Sequence, residues 1–236
     1  MNFEDIKRVT GILLEYLPHT LELFFWTLLL SIPLGMIVAW LKMCKFKPVS
    51  WITNLYILIM RGTPLMLQII AIYYAIPMML KTVSPQQKES GFYGVLNTIV
   101  KDENYMFIAL VVAFVLNYAA YFAEIFRGGV ESIPKGQYEA SSMLGMTKAQ
   151  TFIRIILPQV TKRVIPATSN EVIVLVKDTS LANIIAFEEI TMKAQQQMGT
   201  YSSIMPLFIA GIFYFVLNAI VTVLFAVIEK KFNYYK

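Results

Sequence analysis

The chain has 236 residues, of which 57% are apolar and 15% charged, with a net charge of +5 and a mean hydropathy of +0.61. A soluble domain is about 45–50% apolar and about 25% charged, so this balance excludes a water-soluble enzyme domain and a disordered chain and leaves an integral membrane protein. The single cysteine, Cys44, and the single histidine, His19, exclude an internal disulfide, a cysteine-based metal cluster and a histidine-pair metal or proton site.

In chain order, residues 1–10 carry both charge signs and no long apolar run, so they do not read as a cleaved signal peptide. A membrane span needs roughly 20 mostly apolar residues. Residues 23–41 supply the first and 62–80 the second, with an apolar lead-in from Trp51. Residues 104–123 supply the third and 204–228 the last. Between these two, 161–176 is a weaker stretch that contains Pro166, Asn170 and Glu171.

Lysine and arginine decide whether that stretch counts, because they accumulate on the inner side. With five spans and the N-terminus outside, twelve fall inside and seven outside, and Arg61 sits within a span. With four spans, Lys230, Lys231 and Lys236 move outside and the bias weakens. The expected fold is an all-α integral membrane protein with about five spans, N-terminus outside and C-terminus inside. The net positive charge then reads as basic membrane flanks, with no nucleic-acid motif in the sequence.

The inner loop expected over about 127–162 has internal structure. Pro134 suits the first turn of a short helix. Gly145 supplies its stop, where positive φ is cheap. Thr147 and Gln150 fit a capping box for a second helix, which ends near Leu157 with a break or kink at Pro158. From these features alone, an amphipathic hairpin on the lipid surface fits as well as a docking element.

The residues themselves carry more. Glu139-Ala140-Ser141, three residues, Gly145, nine residues and Ile155-Ile156-Leu157-Pro158 resemble the EAA loop of ABC-transporter permeases, with Ser141 in place of the second alanine. The stretch from Asn117 to Gly129, Arg61-Gly62-Thr63-Pro64-Leu65 and Lys177-Asp178-Thr179-Ser180-Leu181 extend the likeness. They resemble the permeases of polar amino-acid uptake systems, in the histidine/glutamine/arginine/cystine branch. The resemblance covers about 19–236, leaving 1–18 as an N-terminal external segment.

That resemblance implies a multi-pass protein of the bacterial cell membrane with a second permease subunit, identical or not. It implies two cytoplasmic ABC ATPase subunits and an extracytoplasmic amino-acid-binding protein. The chain lacks the G-x-x-x-x-G-K-[ST] phosphate loop, so it is expected to be a transport subunit that binds no cofactor, with ATP and Mg on the partner ATPase. Glu139, Ala140, Ser141 and Gly145 are then the coupling residues: a carboxylate for the ATPase groove, two small residues for close approach, and the glycine that sets the angle between the loop helices.

Glu124 and Arg127, three apart on one helical face, and Arg61, a charge beside a span, are candidates for a gate or subunit contact. A local ion pair or headgroup contact is the plainer reading. Gln68, Asn117, Asn170, Glu171 and Asn218 are the polar groups expected at mid-span, facing the bundle interior. Among them Glu171 could hold an ammonium; interhelical hydrogen bonding is the alternative for each. Asp178, Thr179 and Ser180 are expected at the external gate, with Asp178 capping a short helix. A self-contained secondary transporter or channel would need a coupling-ion site and often shows internal repeats, and the sequence has no convincing repeat. A non-transporting scaffold would use the loop only as a docking arm.

Overall fold

A computed structural model describes residues 1–82 and 91–232; the charge assignments to Lys88 and Lys236 lie outside the described residues. Helix α1 runs from Phe3 to Lys42, 40 residues, opened by a reciprocal Asn2–Asp5 capping box with both bonds at 2.9 Å. At 1.5 Å per residue it is roughly 60 Å long, about twice the hydrocarbon core. It passes unbroken through the boundary expected at 18/19. Hydropathy finds only the apolar middle, because a helix that projects beyond the bilayer carries charge there freely.

Helix α2, Lys47–Gly62, and α3, Leu65–Thr82, are separated at Thr63-Pro64. The second span therefore starts at 65 rather than 62: Pro64 cannot donate to the carbonyl four residues back, and Thr63 before it is extended. A short helix α4, Gly91–Lys101, precedes α5, Tyr105–Glu131. Helix α5 overruns its expected end at 123. It runs through Gly128 and Gly129, and Gly129 lets α8, Leu157–Asp178, approach closely. A Cβ on Gly129 would lie 2.3 Å from a Val164 methyl. The inner loop is correspondingly shorter than 127–162.

That loop holds α6, Lys135–Met143, then α7, Lys148–Thr151, and a π-turn, Phe152–Ile156, that leads directly into α8. Pro158 therefore does not break the chain. It sits in the first turn of α8, and the wider π-turn before it takes up the missing donor. The weak stretch 161–176 is helical within α8, with Pro166 inside. A 3-10 turn over Thr179–Ile185 follows, then α9, Ile190–Tyr201, and α10, Met205–Phe232.

Among the described residues four helices are long and apolar enough to cross a membrane: α1, α3, α5 and α10. Helix α5 is the central post. Its Leu110, Phe114, Tyr118 and Phe122 pack with Leu23 of α1, Ile69 of α3 and Val172 and Leu175 of α8. Close contact of α1 with α5 depends on Gly35, where a Cβ would meet the Phe122 Cβ at 2.7 Å and the Ala119 carbonyl at 3.1 Å. Small residues at such crossings are how helices gain packing in lipid, which supplies little hydrophobic drive of its own. The N-terminal part of α1 buries Val9 and Leu13 against Ile190, Ala194, Ile209 and Ala210.

Candidate functional site

The break between α2 and α3 is where the site begins. Pro64 leaves the Met60 carbonyl without its helical partner. Gln68 Nε2 donates to it at 3.0 Å and Asn117 Nδ2 at 2.9 Å. Gln68 also donates to the Thr63 carbonyl and hydroxyl, and Asn117 Nδ2 reaches Gln68 Oε1 at 3.0 Å. Both amides, expected on a solute path, brace the opened helix, and Asn117 also reaches the cavity described next.

The opened backbone faces a cavity of about 570 Å³. Arg61, Gly62, Thr63, Pro64 and Leu65 form one wall; Asn117, Tyr118 and Tyr121 of α5 form the second. Glu171, Val174 and Asp178 of α8, with Leu181, form the third. The Arg61 guanidinium lies over the Tyr121 ring, 5.2 Å from its centroid. Tyr118 donates its hydroxyl to Asp178 Oδ2 at 2.7 Å. Asp178 thus holds a tyrosine rather than capping a helix: α8 runs straight into the 3-10 turn, and no free amides await its carboxylate. Thr179 and Ser180 donate back to the Val176 and Lys177 carbonyls and do not line the cavity. Asn170 is exposed on α8. Asn218, on α10, has its Oδ1 buried without a partner. Neither lines this cavity.

Arg61 also borders a second hollow of about 460 Å³, with Lys42, Asn54, Ile57, Leu58, Gly62 and Glu124. Glu124 is the centre of a charge cluster. It pairs with Lys42 of α1 and takes Arg127 Nη2 at 2.8 Å and Nε at 3.2 Å. Arg61 Nη1 stands 3.9 Å away, and Arg127 also pairs with Glu131. The expected Glu124–Arg127 pair is present, and it is part of a wider junction between α1, α2 and α5. Arg61 stands between this junction and the carboxylates of the first cavity.

The inner loop has the expected elbow. Gly145 has φ +73°; its amide bonds the Ser142 carbonyl at 3.0 Å and the Met146 amide bonds that of Ser141 at 3.1 Å, the paired pattern that ends a helix on a left-handed residue. The Thr147–Gln150 capping box is formed, at 2.9 and 3.3 Å. Pro134 is the cap residue itself rather than a member of the first turn.

Ser141 differs from expectation. It points into the loop, 3% exposed, where its hydroxyl accepts from Thr151 Oγ1 at 3.0 Å and donates to the Tyr138 carbonyl. It ties α6 to α7 instead of presenting a small surface. Glu139 and Ala140 are exposed, as are Met143 at 89% and Leu144 at 80%. These two apolar side chains were missed in the sequence. The legible signal was a Met-Leu pair directly before the glycine stop, where no following turn could cover it. Ile133, Ile156, Val160 and Val164 pack together beneath the loop and fix its base to α8.

A broken helix pair beside a charged cavity, with an elbow loop joining α5 to α8, is the architecture of a membrane-embedded transport subunit. The pattern of the binding-protein-dependent transport system inner membrane component family matches residues 31–234. The chain belongs to that family and is an ABC-transporter permease.

Among its relatives, the arginine transport system permease protein ArtQ of Bacillus subtilis is 34% identical over 220 residues, 93% of this chain and 91% of the relative. The L-cystine transport system permease protein TcyB of Bacillus subtilis is 33% identical, covering 92% of this chain and 85% of the relative. The octopine transport system permease protein OccM of Rhizobium meliloti is 36% identical, covering 92% and 84%. A chain from the crystal structure of an amino acid ABC transporter with histidines superposes with a TM-score of 0.81 at 30% identity, covering 98% of this chain and 99% of that one. The inward-facing MetNI methionine ABC transporter shares the fold, with a TM-score of 0.67 at 16% identity over 99% of this chain and 100% of that one.

Proposed function

We propose that the chain forms the membrane path of an ATP-driven importer of polar amino acids in a bacterial cytoplasmic membrane. Helix α8 is the fifth span, with the N-terminus outside and the C-terminus inside. Its 22 residues reach roughly 33 Å, enough for a hydrocarbon core of about 30 Å. Its low hydropathy follows from its task, since a helix that lines a polar cavity cannot be apolar all round.

The observation that carries this reading is the charge pattern of the cavity, with Arg61 on one wall and Glu171 and Asp178 on another. A guanidinium matches an α-carboxylate in a two-pronged bond, and a carboxylate matches an α-ammonium. One carboxylate is in excess, which suits a substrate with a second cationic group; the similarity to an arginine permease points the same way. Arg61, with Glu124 and Arg127, forms the gate at the inner side of the cavity. Asp178 stands at the outer side, where a binding protein delivers substrate, and the Thr179–Ser180 turn behind it holds the end of α8.

Glu139, Ala140 and Gly145 present the elbow to a groove on a separate ATPase, with Met143 and Leu144 as its apolar contacts and Ser141 as its internal tie. ATP and Mg are held by that ATPase. A second permease subunit completes the pore and a second ATPase the motor. The test is binding of radiolabelled arginine to the reconstituted complex. Glu171→Gln removes a charge-assisted contact worth about 1.5–3 kcal/mol, so affinity falls roughly 10- to 150-fold. Unchanged affinity in Glu171→Gln and Asp178→Asn alike sinks the cavity assignment.

A further inference from the structure

Helix α4 has no part in the cavity or the loop, and none of its residues is buried. It is nonetheless sharply two-sided. At about 100° per residue, Val95, Ile99, Phe92, Leu96, Val100 and Tyr93 occupy one continuous arc of roughly 160°. Asn97, Thr98 and Lys101, with two glycines, fill the rest. The apolar arc is itself divided. Tyr93, Leu96 and Val100 are half-buried where α4 meets α3 and α5. Phe92, Val95 and Ile99 are 68%, 58% and 41% exposed.

We infer that α4 lies in the membrane interface as a lipid anchor, with Phe92, Val95 and Ile99 set into the acyl boundary and Asn97, Thr98 and Lys101 toward water. Its neighbours fix the occupant. It touches two membrane spans, α3 and α5. Near its end α3, a helix apolar enough to span, carries Met78 and Met79, 63% and 54% exposed, so the apolar stripe of α4 adjoins the exposed apolar surface of a span. The turn into α5 is short and held from both sides: the Asn104 amide donates to Asp102 Oδ1 at 2.8 Å, and the Tyr105 amide to the Asp102 carbonyl at 3.0 Å. The helix cannot leave the bilayer surface without unmaking that turn. An amphipathic helix so placed buries its apolar face at the headgroup–acyl boundary and fixes the depth of the spans it joins.

The test uses nitroxide labels in the full chain, in nanodiscs of phosphatidylethanolamine and phosphatidylglycerol, on a Cys44→Ser background. Single cysteines replace Val95, Ile99 and, on the polar face, Thr98. Labels at 95 and 99 are expected to collide several-fold more often with oxygen, which partitions into lipid, than with a water-soluble nickel chelate. The label at 98 gives the reverse ratio. Equal access of the nickel chelate to all three positions overturns the inference, as does protection of 95 and 99 from both reagents, the sign of a protein partner. These readouts need no transport activity, so they stand apart from the importer reading.

Discussion

Replacing Gly145 changes one thing only. Its φ of +73° is costly for any residue with a Cβ, and a Cβ added there meets nothing within 4 Å. The penalty is therefore conformational, with no steric term. An alanine in the left-handed region costs about 1–2 kcal/mol, which is roughly 5- to 30-fold in the population of the elbow conformer. Asparagine visits that region more readily, so Gly145→Asn should lose less, and the β-branched Gly145→Val should lose more. If the elbow is what the ATPase grips, Kd for the ATPase subunit, measured by calorimetry on the permease in nanodiscs, follows the same order: Gly, Asn, Ala, Val. Equal Kd across the series, or a weaker Asn than Ala variant, refutes the argument that the left-handed turn presents the docking surface.

Other perturbations give separate readings. Gly35→Val forces α1 from α5 through the 2.7 Å contact with Phe122; overpacking costs about 1–3 kcal/mol, so Tm in detergent falls clearly, while Gly11→Ala, in open space within the same helix, keeps or raises it. Gln68→Leu and Asn117→Leu each strip a donor from the Met60 carbonyl; each lowers stability by about 1 kcal/mol, and a double-mutant cycle in denaturant gives losses that do not add, because the two amides share one acceptor. Glu189, wholly buried at the start of α9 and outside the spans, has its carboxyl pushed up by that burial, against hydrogen bonds from Thr191, Tyr214 and Met192 that pull it down.

The sign of that last effect follows from a folded state that holds its proton longer than the unfolded one. Stability is highest below the ordinary carboxylate value of about 4.3 and declines as pH rises through the raised one. Glu189→Gln should flatten that decline in a Tm-against-pH series; an unchanged slope excludes Glu189 as its source.

The spans were legible because lipid demands long apolar runs, and 104–123 and 204–228 begin one residue before α5 and α10 and otherwise lie within them. The elbow of the loop was legible, down to the Gly145 turn and the Thr147 cap, because both are local chemistry. What failed was long-range. Gly129 carries no signal of its own until Val164 of α8 is seen against it. Asp178 looks like a cap until Tyr118, 60 residues away, claims it. Gln68 and Asn117 read as polar groups at mid-span, and only the fold shows both on the carbonyl that Pro64 frees. The carboxylates opposite Arg61 lie on a helix distant in sequence, so only the packing of α8 beside α5 could bring them together.

The proposed importer moves amino acids only when a separate ATPase drives it. The direct measurement is uptake of radiolabelled arginine into proteoliposomes that contain the chain, with and without the ATPase, the binding protein and ATP. The account predicts uptake only with all of them present, and its loss on omission of ATP. Uptake by the chain alone, driven by an ion gradient, contradicts it.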